Sequence, residues 1–104
     1  MAARTIHESL GRAQAAATVM KALGHPLRIQ IVSLLAEEER HVGAIAELLD
    51  TPAAIVSQQL RILRMAGLVQ ASRDEGRAVY RLAEPHLRGL LACMGRCLGN
   101  RTEE

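Results

Sequence analysis

The sequence has almost no aromatic character. Tyr80 is the one aromatic side chain among 104 residues, and there is no Phe or Trp. Because single-stranded nucleic acids are held largely by stacking of bases on aromatic rings, this composition argues against that mode of binding. A core of Leu, Ile, Val, Ala and Met in about 100 residues buries only a modest fraction of the surface. We therefore expect a partner subunit to contribute to stability.

From the sequence we expect no segment that directs the chain out of the cytoplasm. No apolar run approaches the roughly 20 residues of a membrane helix. The N-terminal residues, which include Arg4, His7 and Glu8, have no apolar stretch typical of a signal peptide. Two cysteines are too few for a secreted disulfide framework. The sequence predicts a single cytoplasmic domain over residues 1–104, with no membrane association.

Charge is distributed unevenly along the chain, although the net charge is only +2. Residues 37–50 contain five acidic side chains and one arginine, a net charge of −4. Residues 51–88 contain six arginines and three acidic side chains, a net charge of +3. A basic half beside an acidic half favours a polyanion bound on one face. Arginines are also common on solvated surfaces, so charge alone does not decide between the two interpretations.

Helical spacing of apolar residues predicts five helices, and a change to alternating spacing predicts one hairpin. Thr51 is predicted to cap the fourth helix, with Pro52 at its first position. The hairpin strands cover about residues 68–73 and 77–82, with the turn at 74–76. The predicted helices cover about residues 5–23, from 26 to the acidic run at 37–39, 42–49, 52–65 and 85–98. The apolar stripes of the first four helices are Ile6, Leu10, Ala13, Ala17 and Met20, which Leu23 can extend; Leu27, Ile31, Leu34 and Leu35; Val42, Ile45, Leu48 and Leu49; and Val56, Leu60 and Leu63.

A short helix, a tight turn, a second helix and a basic hairpin form the layout of a winged helix-turn-helix, a mainly α fold whose β-hairpin is the wing. The second helix of the pair would enter the DNA major groove, where Gln can pair with adenine and Arg with guanine or phosphate. Arg73 and Arg77 flank the hairpin tip, where they can meet phosphates. The candidate DNA-binding residues are Ala54, Ser57, Gln58, Arg61, Arg64, Arg73 and Arg77.

Five stretches between residues 21 and 82 carry a resemblance to a known family. They are KALGHPLRI at 21–29, VGAIAEL at 42–48, VSQQLRILR at 56–64, AGLV at 66–69 and the wing stretch Gly-Arg-Ala-Val-Tyr-Arg-Leu at 76–82. At these residues the chain resembles the ArsR/SmtB family of small bacterial winged-helix repressors, and the resemblance covers about residues 15–98. It implies a homodimer joined by the first and last helices, bound to a double-stranded DNA operator. It also implies release by an effector, most often a metal ion and sometimes a thiol oxidant or persulfide.

The chain departs from the family pattern at the start of the recognition helix. Members usually carry Ser, Gln or Thr there, whereas residues 52–55 are Pro-Ala-Ala-Ile and have no side-chain donors. Base recognition must then depend on Ser57, Gln58, methyl contacts and DNA shape.

Three effector placements are familiar in the family. The arsenic-type Cys-Val-Cys corresponds to residues 41–43, which are His-Val-Gly here, so that site is absent. The persulfide-type pair is incomplete, because its second-helix position is Ser33. The zinc-type placement in the last helix corresponds to Glu84, His86, Cys97 and Asn100, of which Asn100 is a poor zinc ligand.

The last helix also carries a seam-like face, independent of the resemblance. His86, Leu90, Cys93, Cys97 and Asn100 are spaced 4, 3, 4 and 3. If two copies pair antiparallel so that His86 meets Cys97 of the mate, Leu90 meets its Cys93. Glu84, His86, Cys93 and Cys97 are therefore the candidate effector residues, for a divalent metal such as Zn or for thiol chemistry. Cysteines in apolar helices are also often inert packing residues, and the sequence leaves all three interpretations open.

Two further functional classes compete with a repressor. A winged-helix module that binds a protein partner fits the apolar start of the fourth helix. A DNA-binding regulator without an effector site fits the inert-packing interpretation. An enzyme is not predicted, because no nucleophile–base pair, phosphate-binding loop or carboxylate dyad is found.

Overall fold

The computed structural model describes residues 5–99. It is mainly helical, with a small antiparallel sheet, and the elements follow the predicted order with one added strand. A short 3₁₀ turn, Ile6–Glu8, precedes the first helix. The elements are α1 Leu10–Leu23, α2 Pro26–Glu37, β1 Arg40–His41, α3 Val42–Leu48, α4 Ala53–Met65, β2 Val69–Asp74, β3 Arg77–Leu82 and α5 Leu87–Leu98.

The sheet has the strand order β1-β3-β2. In the β2–β3 hairpin, Asp74 lies opposite Arg77 and Val69 lies opposite Leu82. The turn contains only two residues, Glu75 and Gly76, both with positive φ (52° and 80°). This is the left-handed backbone that a two-residue hairpin turn requires. The predicted three-residue turn was therefore one residue too long, because Asp74 belongs to β2.

The core lies where α2, α3 and α4 meet the base of the hairpin. The predicted inward stripe of α4 is confirmed, since all three of its residues are fully buried. In α3 one prediction was wrong: Leu48 is 56% exposed, while Ala46 packs against the core. The fully buried large side chains are Ile31, Val32, Leu35, Ile45, Val56, Leu60, Leu63 and Val69.

The first helix is shorter than predicted, and its apolar stripe faces outward. Ser9 interrupts the predicted helix and caps α1, with its Oγ accepting a hydrogen bond from Arg12 N (3.3 Å). Leu10 and Met20 of the predicted stripe are 75% and 55% exposed. Leu23, which could extend the stripe, is buried in the core at the end of the helix. The stripe is thus an unpartnered apolar face of this chain.

The predicted start of α2 is confirmed, whereas α5 starts later than predicted. Pro26 opens α2 as predicted, and His25 Nδ1 accepts from Leu27 N (3.2 Å) at its cap. Helix α5 begins at Leu87, two residues later than Pro85. Among the described residues, no helix combines the length and apolarity needed to cross a membrane.

Candidate nucleic-acid interface and cysteine site

Helix α4 separates a buried side from an outward side. Val56, Leu60 and Leu63 are fully buried, and their spacing of 4 and 3 puts them on one face. The predicted DNA-facing residues on the same helix are all exposed to solvent: Ala54, Ser57, Gln58, Arg61 and Arg64. The core therefore fixes the helix without using any side chain of the candidate recognition face.

The start of α4 is apolar, as the sequence indicates, but its cap is not the predicted one. Pro52, not Thr51, occupies the N-cap position, and no side chain caps the helix. Thr51 Oγ1 instead donates to Leu49 O (3.0 Å) in the turn between α3 and α4. The first turn of α4 thus has no side-chain cap, and Ile55 in that turn is 40% exposed.

The wing arginines are both exposed but leave the hairpin on opposite faces. Arg77 pairs with Asp74, whereas Arg73 belongs to the next pair and lies opposite Ala78. Successive residues of a strand point to opposite faces, which separates the two guanidinium groups. Arg73 Nη1 also donates to Gly76 O (2.9 Å), which holds this side chain over the turn.

Arg73 shares a groove of about 340 Å³ with Arg64 and Tyr80, between the end of α4 and the hairpin. Two cations of the predicted DNA-binding set therefore line one concavity. Arg77 instead lines a groove of about 380 Å³ with His41, beside the start of α3. His41 is half-buried, and its Nδ1 lies 3.2 Å from Ala78 O, so it connects α3 to the wing.

Arg81 is a member of the hairpin's polar face that was not predicted from the sequence. Its guanidinium donates from Nη2 to Gln70 Oε1 (3.0 Å) and from Nη1 to Ser72 Oγ (3.3 Å) across the two strands. Arg81 also lines a groove of about 410 Å³ with Arg64. The alternation of β3, which puts Arg77 and Arg81 four residues apart on one face, is the signal that could have found it.

Cys93 and Cys97 lie one turn apart on α5, and both are exposed free thiols. Hydrogen bonding with the Cys93 thiol raises the pKa of Cys97, and the neighbouring sulfur's charge acts in the same direction. The two thiols are therefore neighbours on one face of α5.

Glu84 and His86 form a second pair, just before α5. Glu84 Oε1 accepts from His86 N (3.0 Å) and lies 2.6 Å from His86 Nδ1. Both hydrogen bonds lower the pKa of Glu84, and the bond from the backbone N–H of His86 has the larger effect. The imidazole is 96% exposed. Because Nδ1 is engaged by Glu84, Nε2 is the nitrogen that a ligand would use.

One chain does not bring the two pairs together. His86 and Cys97 are eleven residues apart, or about 16 Å along a helix at 1.5 Å per residue. Accordingly, no group of three or more potential metal ligands is found within residues 5–99. Asn100, the fourth zinc-type position, lies outside the described residues. The donor set of two thiols, an imidazole and a carboxylate suits a borderline or soft divalent metal, but only if a second chain completes it.

Cys97 also lines an apolar groove of about 430 Å³ between α2 and α5. Ser33, the residue that replaces the second-helix cysteine of persulfide-type sensors, lines the same groove. The second-helix position of the persulfide-type pair is therefore near Cys97. In this chain, however, that position is Ser33, whose hydroxyl cannot form a disulfide or polysulfide bridge.

Comparison with known proteins gives the family. A model for "bacterial regulatory protein, arsR family" matches residues 25–71. The uncharacterized HTH-type transcriptional regulator Rv0081 of Mycobacterium tuberculosis is 44% identical over 80 residues, covering 73% of this chain and 68% of the relative. The chain belongs to the ArsR family of bacterial regulatory proteins.

Other relatives agree with this ArsR assignment. The HTH-type transcriptional repressor SmtB of M. tuberculosis is 42% identical over 73 residues, which cover 70% of this chain but only 54% of that repressor. The solution structure of the homodimeric winged helix-turn-helix domain of Mb0332 from Mycobacterium bovis has a TM-score of 0.79 at 33% identity, covering 97% of this chain and 93% of that domain. The crystal structure of the repressor BigR of Xylella fastidiosa has a TM-score of 0.81 at 31% identity. The match covers 90% of this chain and 96% of that chain.

The matches confirm the winged helix-turn-helix fold predicted from the sequence. The ArsR family model covers the chain from the cap of α2 into β2. Glu84, His86, Cys93 and Cys97 lie beyond that match. The family match thus supports the helix-turn-helix assignment of α3 and α4. The effector residues lie outside the match, so their assignment depends on the chemistry of their side chains.

Proposed function

We propose that this protein is a homodimeric DNA-binding transcriptional repressor of the cytoplasm, released from its operator by a signal at the last helix. The observation that carries the DNA-binding part is the outward face of α4. Ser57, Gln58 and Arg61 are exposed on a helix whose opposite side is fully buried. A rigid helix with polar side chains free for contact has the geometry that a major groove accepts.

Base recognition would centre on Gln58, because an amide side chain can bond to adenine with both of its polar atoms. Ala54, one turn earlier, can contact a thymine methyl group. Arg73 and Arg64 would contact phosphates from their shared groove, and Arg77 would reach the backbone from the other face of the wing. Because the start of α4 has no side-chain donors, DNA shape would contribute to the choice of operator.

The dimer would form through α1 and α5. The exposed stripe of α1, with Leu10 and Met20, and the exposed Leu98 of α5 are apolar surface that a second copy can cover. The M. bovis domain, which is homodimeric and similar over nearly the whole chain, supports dimer formation. Two recognition helices related by a two-fold axis would meet half-sites about 34–36 Å apart.

The effector would act at Cys97 together with Cys93, supported by Glu84 and His86 of the other subunit. Antiparallel pairing of the two α5 helices would place His86 of one subunit beside Cys97 of its mate. A bound metal would supply a charge that draws thiolate, imidazole and carboxylate together across the dimer. A thiol-reactive signal would act at the same two sulfurs without needing the other side chains.

The experiment that tests the DNA-binding part is selection of duplexes from a random pool, followed by a salt titration of the selected operator. Phosphate contacts predict that log affinity falls linearly with log salt, with a slope of about −0.9 for each neutralised phosphate. Absence of any selected duplex at low salt would favour the alternative function, a protein-binding module that uses Ile55 and the apolar start of α4. A panel of Zn²⁺ and other divalent metals, peroxide and polysulfide, added to the operator complex, then identifies the releasing signal.

A further inference from the structure

The Arg28 side chain of α2 joins three helices. Its Nε donates to Ala22 O (2.6 Å) and its Nη2 lies 3.4 Å from Lys21 O, both in the last turn of α1. Its Nη1 donates to the side-chain oxygen Oε1 of Gln59 in α4 (2.9 Å). One guanidinium therefore connects the end of the proposed dimerisation helix to the proposed recognition helix.

The α1 end supplies a suitable anchor for this guanidinium. The last carbonyls of a helix have no partner within the helix and carry the negative end of its dipole. Gly24 N donates a hydrogen bond to Lys21 O (3.1 Å), and Arg28 Nε donates one to Ala22 O. Within residues 5–99, no carboxylate lies within salt-bridge distance of Arg28. Its charge is thus directed to these neutral acceptors, and charge-assisted hydrogen bonds are roughly twice as strong as neutral ones.

The α4 end of the link lies next to the candidate recognition face. Gln59 is half-buried between the exposed Gln58 and the buried Leu60. The apolar stripe holds α4 against the core, but apolar contact is non-directional. A hydrogen bond has a preferred geometry, so the Arg28–Gln59 bond can fix where α4 lies relative to the end of α1.

We propose that Arg28 is a positioning residue that acts through Gln59 to set where α4 lies relative to α1, and thereby the half-site spacing that the dimer prefers. The inference depends on the proposed function, a dimer that binds two DNA half-sites. A shift of about 1 Å in each α4 changes the separation of the two recognition helices by up to about 2 Å, more than half of the roughly 3.4 Å rise of one base pair.

The test compares the wild type with Gln59→Leu, which removes the acceptor at similar size, and Gln59→Glu, which keeps it. Each protein is titrated with the operator that the wild type selects, and with versions whose half-site spacing is one base pair shorter or longer. We expect Gln59→Leu to lose about tenfold of the preference for the selected spacing, since a hydrogen bond to a charged group is lost. Gln59→Glu should keep the preference, because its carboxylate still accepts from Arg28.

Arg28→Lys provides a second variant that keeps the charge but loses the planar fork, and it should weaken the spacing preference as Gln59→Leu does. Unfolding curves identify any variant that has merely lost its fold. A folded Gln59→Leu protein that keeps the wild-type preference overturns the inference, as does a Gln59→Glu protein that loses it. If the wild type selects no duplex at all, the proposed function itself fails, and the two failures are thus distinguishable.

Discussion

Arg73 and Arg77 flank the tip of the same hairpin, yet they project from its opposite faces. The register makes this unavoidable, because Arg77 pairs with Asp74 and Arg73 pairs with Ala78. Arg73 therefore shares a groove with Arg64 at the end of α4, while Arg77 lies beside His41 at the start of α3. A wing seated on DNA can use both side chains only if its two faces meet different phosphates.

The first prediction concerns these two wing residues. Arg73→Ala and Arg77→Ala should each weaken binding to all duplexes alike and reduce the salt slope by about 1, because phosphate contacts carry no sequence information. The measurement is a salt titration with the selected operator and with an unrelated duplex. A change in the ratio of the two affinities would show that the arginine contacts a base instead.

The second prediction concerns Gln58. Gln58→Ala should cost about 1–3 kcal/mol of discrimination between the operator and a duplex with one base pair changed. Gln30→Ala is the matched control, since Gln30 is an exposed glutamine on α2 and should leave discrimination unchanged. The idea fails if Gln58→Ala leaves the ratio of specific to non-specific affinity at its wild-type value.

The third prediction concerns the dimer. Met20→Glu introduces a charge into the exposed stripe of α1 and should shift the protein toward monomer at micromolar concentration, because burying an unpaired charge in an apolar interface is costly. Met65→Glu, the same change at a 79% exposed residue of α4, should leave the dimer intact. Sedimentation velocity measures both, and a stable folded wild-type monomer at that concentration would contradict the proposal.

The sequence predicted those features that depend on neighbouring residues. Pro26 opens α2, and the 4 and 3 spacing of Val56, Leu60 and Leu63 gives the buried side of α4. Periodicity identifies an apolar stripe but not what covers it. For that reason Leu10 and Met20 were recognised as a stripe, although only the structure shows that this chain leaves them exposed.

The features that were missed depend on contacts between distant parts of the chain. Strand β1 has only two residues and exists because Arg40 and His41 pair with β3. The Arg28–Gln59 bond spans 31 positions and has no local pattern. The predicted cap at Thr51 failed because two hydrogen bonds compete for one hydroxyl. The Thr51 hydroxyl donates to Leu49 O in the preceding turn and does not cap α4.

The fourth prediction tests the core that supports α4. Leu60→Ala should destabilise the fold by about 2–5 kcal/mol, because the side chain is fully buried and its loss leaves a cavity. Ile62→Ala, on the same helix but 41% exposed, should cost less. Urea unfolding at one fixed protein concentration makes the comparison valid for a protein that dimerises. Equal losses in the two variants would contradict the assignment of the buried side of α4.

The last prediction concerns the effector site. Cys97→Ser should leave DNA binding near the wild-type value without effector and should abolish the response to the metal or thiol reagent that releases the wild type. Cys97 is on α5, away from α4 and the wing, so its removal changes no predicted DNA contact. Coupling between effector and DNA sites of 1–3 kcal/mol corresponds to a change in DNA affinity of about 5- to 150-fold, which an operator titration resolves.

Single and double variants separate the interpretations of this site. His86→Ala should abolish a metal response but leave a thiol-reagent response, because only the metal needs an imidazole from the other subunit. A Cys93→Ser, Cys97→Ser double variant that is still released by the same inducer would place the effector elsewhere. If neither metals nor thiol reagents release the wild type, the cysteines are packing residues of the α5 seam, and the DNA-binding proposal stands without an effector.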